Sequence, residues 1–153
     1  MSIKENKELI RQGIKELNEI GGDLTKVRSI FEKYFAPNFI YHIASREDMN
    51  HEQSIQYTVG TMSAFPDATF AIDDMVAEGD KVAIRGTLQG IHGKTYMGIP
   101  ATGKHIVIKV AEIYKIEGRK VVEKWYFPDS LGLMTQLGVI PSVPSQKFFD
   151  KVV

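Results

Sequence analysis

Cysteine is absent from this chain of 153 residues, which excludes a disulfide framework, thiolate metal sites and a cysteine nucleophile. A surplus of either charge is missing too, because nineteen Lys and Arg balance nineteen Asp and Glu. Without one there is no electrostatic footprint for nucleic acid or an anionic membrane, and neither is expected as a partner. No window reaches the roughly 20 apolar residues of a membrane span. Met1 to Arg11 mix charges where a secretory signal would be apolar, so a cytoplasmic location is expected. The four His residues show neither HxH nor HExxH spacing, so no metal is expected. No Ser sits in a G-x-S-x-G elbow. The glycines of 90–103 do not follow the strand–helix context of a phosphate loop, and no cofactor is expected.

What is present is the composition of one soluble domain, 43% hydrophobic and 25% charged, large enough to bury a core. The domain spans 1–153, with 142–153 as a C-terminal tail. The first third carries helical periodicity. Ile10, Ile14, Leu17 and Ile20 recur at three- and four-residue spacing until Gly21-Gly22. Asp23 is placed to cap a second helix running to Phe35 and ended by Pro37. Phe39 to Ile43 is a short extended piece. Asn50 with Gln53 makes a capping box for a third helix, which Pro66-Asp67 terminates.

From Ala68 the period becomes two. Phe70 and Ile72 lead to a Glu78-Gly79-Asp80 turn, and Val82, Ile84, Gly86 and Leu88 line one face of the returning strand. A Gly-rich loop spans 90–103. A strand over 105–116, the Glu117-Gly118 turn and a last strand to Asp129 follow. Strands joined by tight turns are antiparallel. Helices followed by such a meander predict an α+β fold, helices packed on one face of a strongly curved antiparallel sheet.

A curved sheet covered by helices leaves a cone whose open end takes an apolar ligand. Its expected lining is Tyr57, Phe65, Met97, Trp125 and Phe127, with His42, His92, Glu112 and Asp129 converging on it. Period-two counting puts Val121, Glu123, Trp125, Phe127 and Asp129 on one face. An acid beside large aromatics is poorly solvated, which raises its pKa toward neutrality. Asp129 reads equally as the cap of a helix starting at Ser130-Leu131, and both roles are compatible. Glu112, amid apolar neighbours in Val110 to Tyr114, is a functional carboxylate if it faces inward and an ordinary surface charge if it faces out. Phe148-Phe149 would dock on a partner subunit or fold back on their own.

Four segments carry a resemblance: Tyr41-His42; Phe65-Pro66-Asp67; His92-Gly93 through Met97-Gly98-Ile99-Pro100-Ala101-Thr102-Gly103-Lys104; and Trp125 and Asp129 with Leu131-Gly132-Leu133 and Gln136-Leu137-Gly138. In order and spacing the chain resembles the SnoaL-like polyketide cyclase family of the nuclear transport factor 2 superfamily. The resemblance implies a cone-shaped, cystatin-like fold and a homodimer formed across the open sheet face. Members that cyclise polyketide esters use one pocket Asp as acid–base catalyst without metal or cofactor, and Asp129 matches that position. His42 and His92 match family histidines suited to donating to an enolate oxygen. The implied chemistry is aldol-type ring closure on a small carbonyl-containing hydrophobic molecule. Isomerase, hydrolase and non-catalytic binding roles on the same scaffold stay open.

Overall fold

The structure, a computed structural model, describes residues 1–44 and 46–142. Pro144 and Phe148-Phe149 of the expected tail lie outside them. Helix α1 (Ile3–Asn18) opens on a capping box in which Glu5 N–H donates to Ser2 Oγ and Ser2 N–H to Glu5 Oε2. Gly21 and Gly22 end that segment in left-handed backbone, φ 59° and 84°. Helix α2 (Lys26–Tyr34) starts later than Asp23 implies. The Asp23 carboxylate accepts instead from the Thr25 N–H and hydroxyl, a local turn that delays the helix. Phe35 is already extended and opens strand β1 (Phe35–Ile43), so Pro37 lies inside a strand rather than ending a helix. A short β2 (Met49–Asn50) precedes α3 (His51–Ala64), where the Asn50–Gln53 capping box forms as the sequence indicates.

The meander follows as β3 (Thr69–Glu78), β4 (Lys81–Ile91), β5 (His105–Glu117) and β6 (Lys120–Pro128), with a final α4 (Ser130–Gln136). The six strands form one curved sheet in the order β2-β1-β6-β5-β4-β3. The α+β class stands, but the sheet is mixed, because β1 runs parallel to β6. Those two strands are far apart in sequence and no tight turn joins them, so nothing forces them antiparallel.

Irregular pairing bends the sheet. In β6, Val121 pairs with Ile116 and Glu123 with Lys115, which leaves Val122 as an extra residue. In β3 the ladder slips at Asp73, putting Met75 opposite Ile84 on the face that Ile72 also occupies. Such bulges increase local twist and re-aim the side chains beyond them. Tight strand approach is enforced at Gly86, where a Cβ would stand 2.2 Å from Phe70 Cζ. Helix α1 packs on β3 and α3 on β1. The main core lies between helices and sheet, around Val27, Phe31, Phe39, Ile55, Val82 and Val121.

Candidate functional site

Between the helices and the sheet lie two adjoining lobes of about 180 Å³ and about 190 Å³. Leu17, Tyr57, Met62, Phe70, Leu88 and Tyr126 line both, so the lobes share a wall. The first reaches toward α2 and the Phe31–Phe39 end of the core; the second ends at Arg46, Tyr96, Pro128 and Ser130. Most of the lining is aliphatic or aromatic, which suits an apolar small molecule.

The polar part of the first lobe comes from β5 and β6. Glu112 faces inward and is 5% exposed. Lys124 Nζ stands 2.8 Å from Glu112 Oε1, and the Tyr114 hydroxyl donates to Oε2. The same ammonium lies 4.9 Å, 5.1 Å and 5.2 Å from the ring centres of Tyr41, Tyr114 and Tyr126, a cation–π arrangement. Burial alone would discharge Lys124, but the Glu112 carboxylate outweighs it and holds the pKa above the ordinary value. Burial and then the nearby Glu112 charge push the Tyr41 and Tyr114 phenols well up; for Tyr126, burial, Tyr41 and then Glu112 do the same. These phenols stay neutral donors at any physiological pH. Tyr34 and Tyr114 donate to carboxylates; among the described residues, the hydroxyls of Tyr41 and Tyr126 have no such acceptor. In the second lobe, burial is the main cause lifting Tyr96 to about 12.

An ion pair with surrounding phenols thus sits on one wall of an otherwise greasy cavity under a helix-covered sheet. The model of the SnoaL-like polyketide cyclases matches residues 22–137. The chain belongs to this family. AclR from Streptomyces galilaeus, assigned as a hydroxylase, is 24% identical, with a TM-score of 0.85 over 99% of this chain and 92% of that one. A SnoaL-like relative from Jannaschia sp. CCS1 is 23% identical, with a TM-score of 0.80 over 92% and 97% of the two chains. TsrD from Streptomyces laurentii is 26% identical, with a TM-score of 0.77 over 92% and 99%. Among curated proteins no match is found.

In this SnoaL-like chain the residues singled out from sequence part company. Tyr57 lines both lobes, Phe65 the second and Glu112 the first. Trp125 and Phe127 do not line the cavity. The extra residue at Val122 turns Lys124 and Tyr126 inward and sends Glu123, Trp125 and Phe127 to the opposite face. Phe127 is there 50% exposed. Asp129 is exposed, not dry. Its Oδ1 accepts from Gly132 N–H at 2.8 Å and caps α4, while its neighbours Pro128 and Ser130 line the second lobe. It stands on the rim, in contact with solvent.

The histidines are also elsewhere. His42 stacks on Trp125 at 5.1 Å on the outer face, with Nδ1 2.8 Å from Asp48 Oδ1 and Nε2 3.0 Å from Glu123 Oε2. Burial opposes its charging, yet the two carboxylates outweigh that and raise its pKa. His92 is fully buried against Phe65. Its Nδ1 accepts from Thr102 N–H at 3.3 Å, with Thr102 Oγ1 at 3.0 Å, so it ties down the two ends of the Gly-rich loop. That acceptor role puts the proton on Nε2, which is buried without a partner. Met97 is 60% exposed at a turn tip. Among the described residues no group of His, Asp and Glu has the geometry of a metal site, and no helix is long and apolar enough to cross a membrane.

Sequence reasoning missed Lys124, Tyr114, Tyr126 and Arg46. One signal was available. A bulge-free hairpin from Glu117↔Lys120 would set Glu112 opposite Trp125, leaving an inward carboxylate without a cation. Shifting the register by one residue puts Tyr126 there and brings Lys124 beside Tyr114.

Proposed function

We propose that the cavity binds a small, apolar, carbonyl-containing molecule and catalyses proton transfer at carbon leading to aldol-type ring closure, with Glu112 as the proton-transfer group. The observation that carries this is the buried Glu112–Lys124–Tyr114 cluster in an otherwise greasy wall. Buried ion pairs rarely stabilise a fold relative to apolar packing, so one lining a cavity is a functional candidate.

In this reading Glu112 takes a proton from a carbon flanked by two carbonyls. The electron pair moves onto the carbonyl oxygen, and the negative charge passes from carboxylate to enolate without leaving the neighbourhood of the Lys124 ammonium. Tyr41 and Tyr126, neutral phenols on the same wall, donate to the enolate oxygen. The enolate carbon then attacks a third, more distant carbonyl, forming the ring bond, and protonated Glu112 returns its proton to the new alkoxide. Isomerisation would use the same enolate with the proton returned to a different atom. Asp129 is not assigned the chemistry, since its solvated carboxylate is committed to the α4 cap.

A second reading rests on the same pairing. Both Glu112 oxygens are already engaged, which favours a binding module that uses the cluster only to orient a ligand. Incubation with 1,3-dicarbonyl compounds carrying a third carbonyl farther along the chain, followed by mass spectrometry and NMR, separates the two. Catalysis gives a ring-closed isomer of unchanged mass with the wild type and none with Glu112→Gln. Because that variant strands a buried ammonium, Glu112→Gln/Lys124→Met is run beside it. Binding with no turnover by the wild type supports the module.

The family's dimer is part of the same proposal. The outer face of β4, β5 and β6 exposes Ile91, Val107 and Phe127 at 44%, 43% and 50%, apolar side chains that a second copy seated on this face would cover. Light scattering of Phe127→Glu should report a monomer if that face joins two subunits.

A further inference from the structure

We propose that the second lobe receives a carboxylate, so that the bound molecule is an apolar acid whose head group is held by Arg46 at the mouth. The inference rests on the cavity being a small-molecule site and adds the charge of its ligand. In the first lobe, the carboxylate of Glu112 and the ammonium of Lys124 cancel at 2.8 Å. Among the described residues Arg46 is the single charged side chain lining the second lobe, with no Asp or Glu beside it in that wall. The cavity as a whole therefore carries one uncompensated positive charge, and it sits at one end.

That cation is held in place but not neutralised. Its guanidinium carbon lies 5.6 Å from the centre of the Tyr57 ring, which lines both lobes. Nη2 donates to Met97 Sδ at 3.0 Å, a weak acceptor that leaves most of the N–H donors open. Among the described residues Arg11, Arg28 and Arg85 have carboxylate partners, whereas Arg46 and the distant Arg119 have none, and of these two only Arg46 lines the lobe. Its nearby Asp48 is engaged by His42 at 2.8 Å.

Met97 reaches the guanidinium from an unusual backbone. Tyr96 and Ile99 bridge, and Met97 and Gly98 between them have φ 49° and 79°, the left-handed pair of a type I′ turn. A non-glycine residue adopts that conformation at a cost, and here it sets the sulfur against Arg46. Tyr96 and Ser130 bring further donors to the same lobe. The fork of guanidinium N–H groups matches a planar carboxylate, and the phenol and hydroxyl belong to the same lobe.

The test is calorimetric titration of the full chain with matched pairs: 2-naphthylacetate and its amide, 4-phenylbutyrate and its amide, octanoate and octanamide. At low salt the acid should bind about tenfold or more tightly than the amide, a ratio within reach of charge-assisted hydrogen bonds even at a partly exposed site. Added salt should erode that preference. Arg46→Gln should bring the ratio close to one by weakening the acid far more than the amide, and Arg46→Lys should restore part of it. Equal binding of acid and amide, or a preference that survives Arg46→Gln, overturns the anion inference and leaves the cavity reading standing. Binding of neither member of any pair overturns both.

Discussion

Replacing Lys124 by Met removes the ammonium that neutralises Glu112. The carboxylate is 5% exposed and keeps only the Tyr114 hydroxyl, so it becomes a nearly unpaired buried charge. Stranding such a charge typically costs about 3–5 kcal/mol. Because Glu112 borders a cavity that water can enter, the low end applies, about 3 kcal/mol. For a domain of this size that is a fall in melting temperature of about 6–12 °C. The double variant Glu112→Gln/Lys124→Met removes both charges and should return to within about 1 kcal/mol of the wild type, since no unpaired ion is left buried and the new amide carbonyl at position 112 can still accept from Tyr114. Urea denaturation followed by circular dichroism, run on the wild type, both single variants and the double variant, gives the coupling directly. The reasoning is refuted if Lys124→Met unfolds within about 0.5 kcal/mol of the wild type, or if the double variant is no more stable than the singles.

Two further outcomes follow from side chains outside the cavity. Asp129→Ala should cost about 1 kcal/mol by loss of the α4 cap, whereas Asp129→Asn should cost a few tenths at most. Gly132→Ala should resemble Asp129→Ala, because its Cβ would stand 2.1 Å from Asp129 Oδ2; equal melting curves for all four proteins would remove the cap. His42 has a folded-state pKa above its unfolded value of about 6.5. Its contribution is therefore full below about pH 6.5 and lost as pH rises through the raised folded value. The stability gap between wild type and His42→Gln should shrink from pH 6 to pH 9, and a gap that widens would contradict the carboxylate clamp.

Much of the fold was legible because it depends on local signals. The Asn50–Gln53 capping box, the Glu78-Gly79-Asp80 turn and the alternation from Val82 to Leu88 all act within a few residues and appear as read. The cavity was legible only in part. Glu112, Tyr57 and Phe65 face it because β5 runs in register and α3 has its expected boundaries. Trp125 and Phe127 do not, because one extra residue in β6 reverses the side-chain parity for everything beyond it. No local residue choice announces that insertion; it is visible only in the pairing with β5. Asp129 shows a different limit. Its position after an aromatic strand suited a dry acid and a helix cap alike; the carboxylate caps α4 as read and is exposed rather than dry.

Hydrogen exchange at carbon tests the central claim most directly, because it needs no knowledge of the full substrate. The deuterium uptake of a 1,3-dicarbonyl compound in D₂O, followed by NMR near neutral pH, should be faster with the wild type and with Asp129→Asn. It should fall to the uncatalysed rate with Glu112→Gln and with Glu112→Gln/Lys124→Met, both shown to be folded. Acceleration that persists without Glu112, or that vanishes with Asp129→Asn alone, would place the proton transfer at the rim and not inside the cavity.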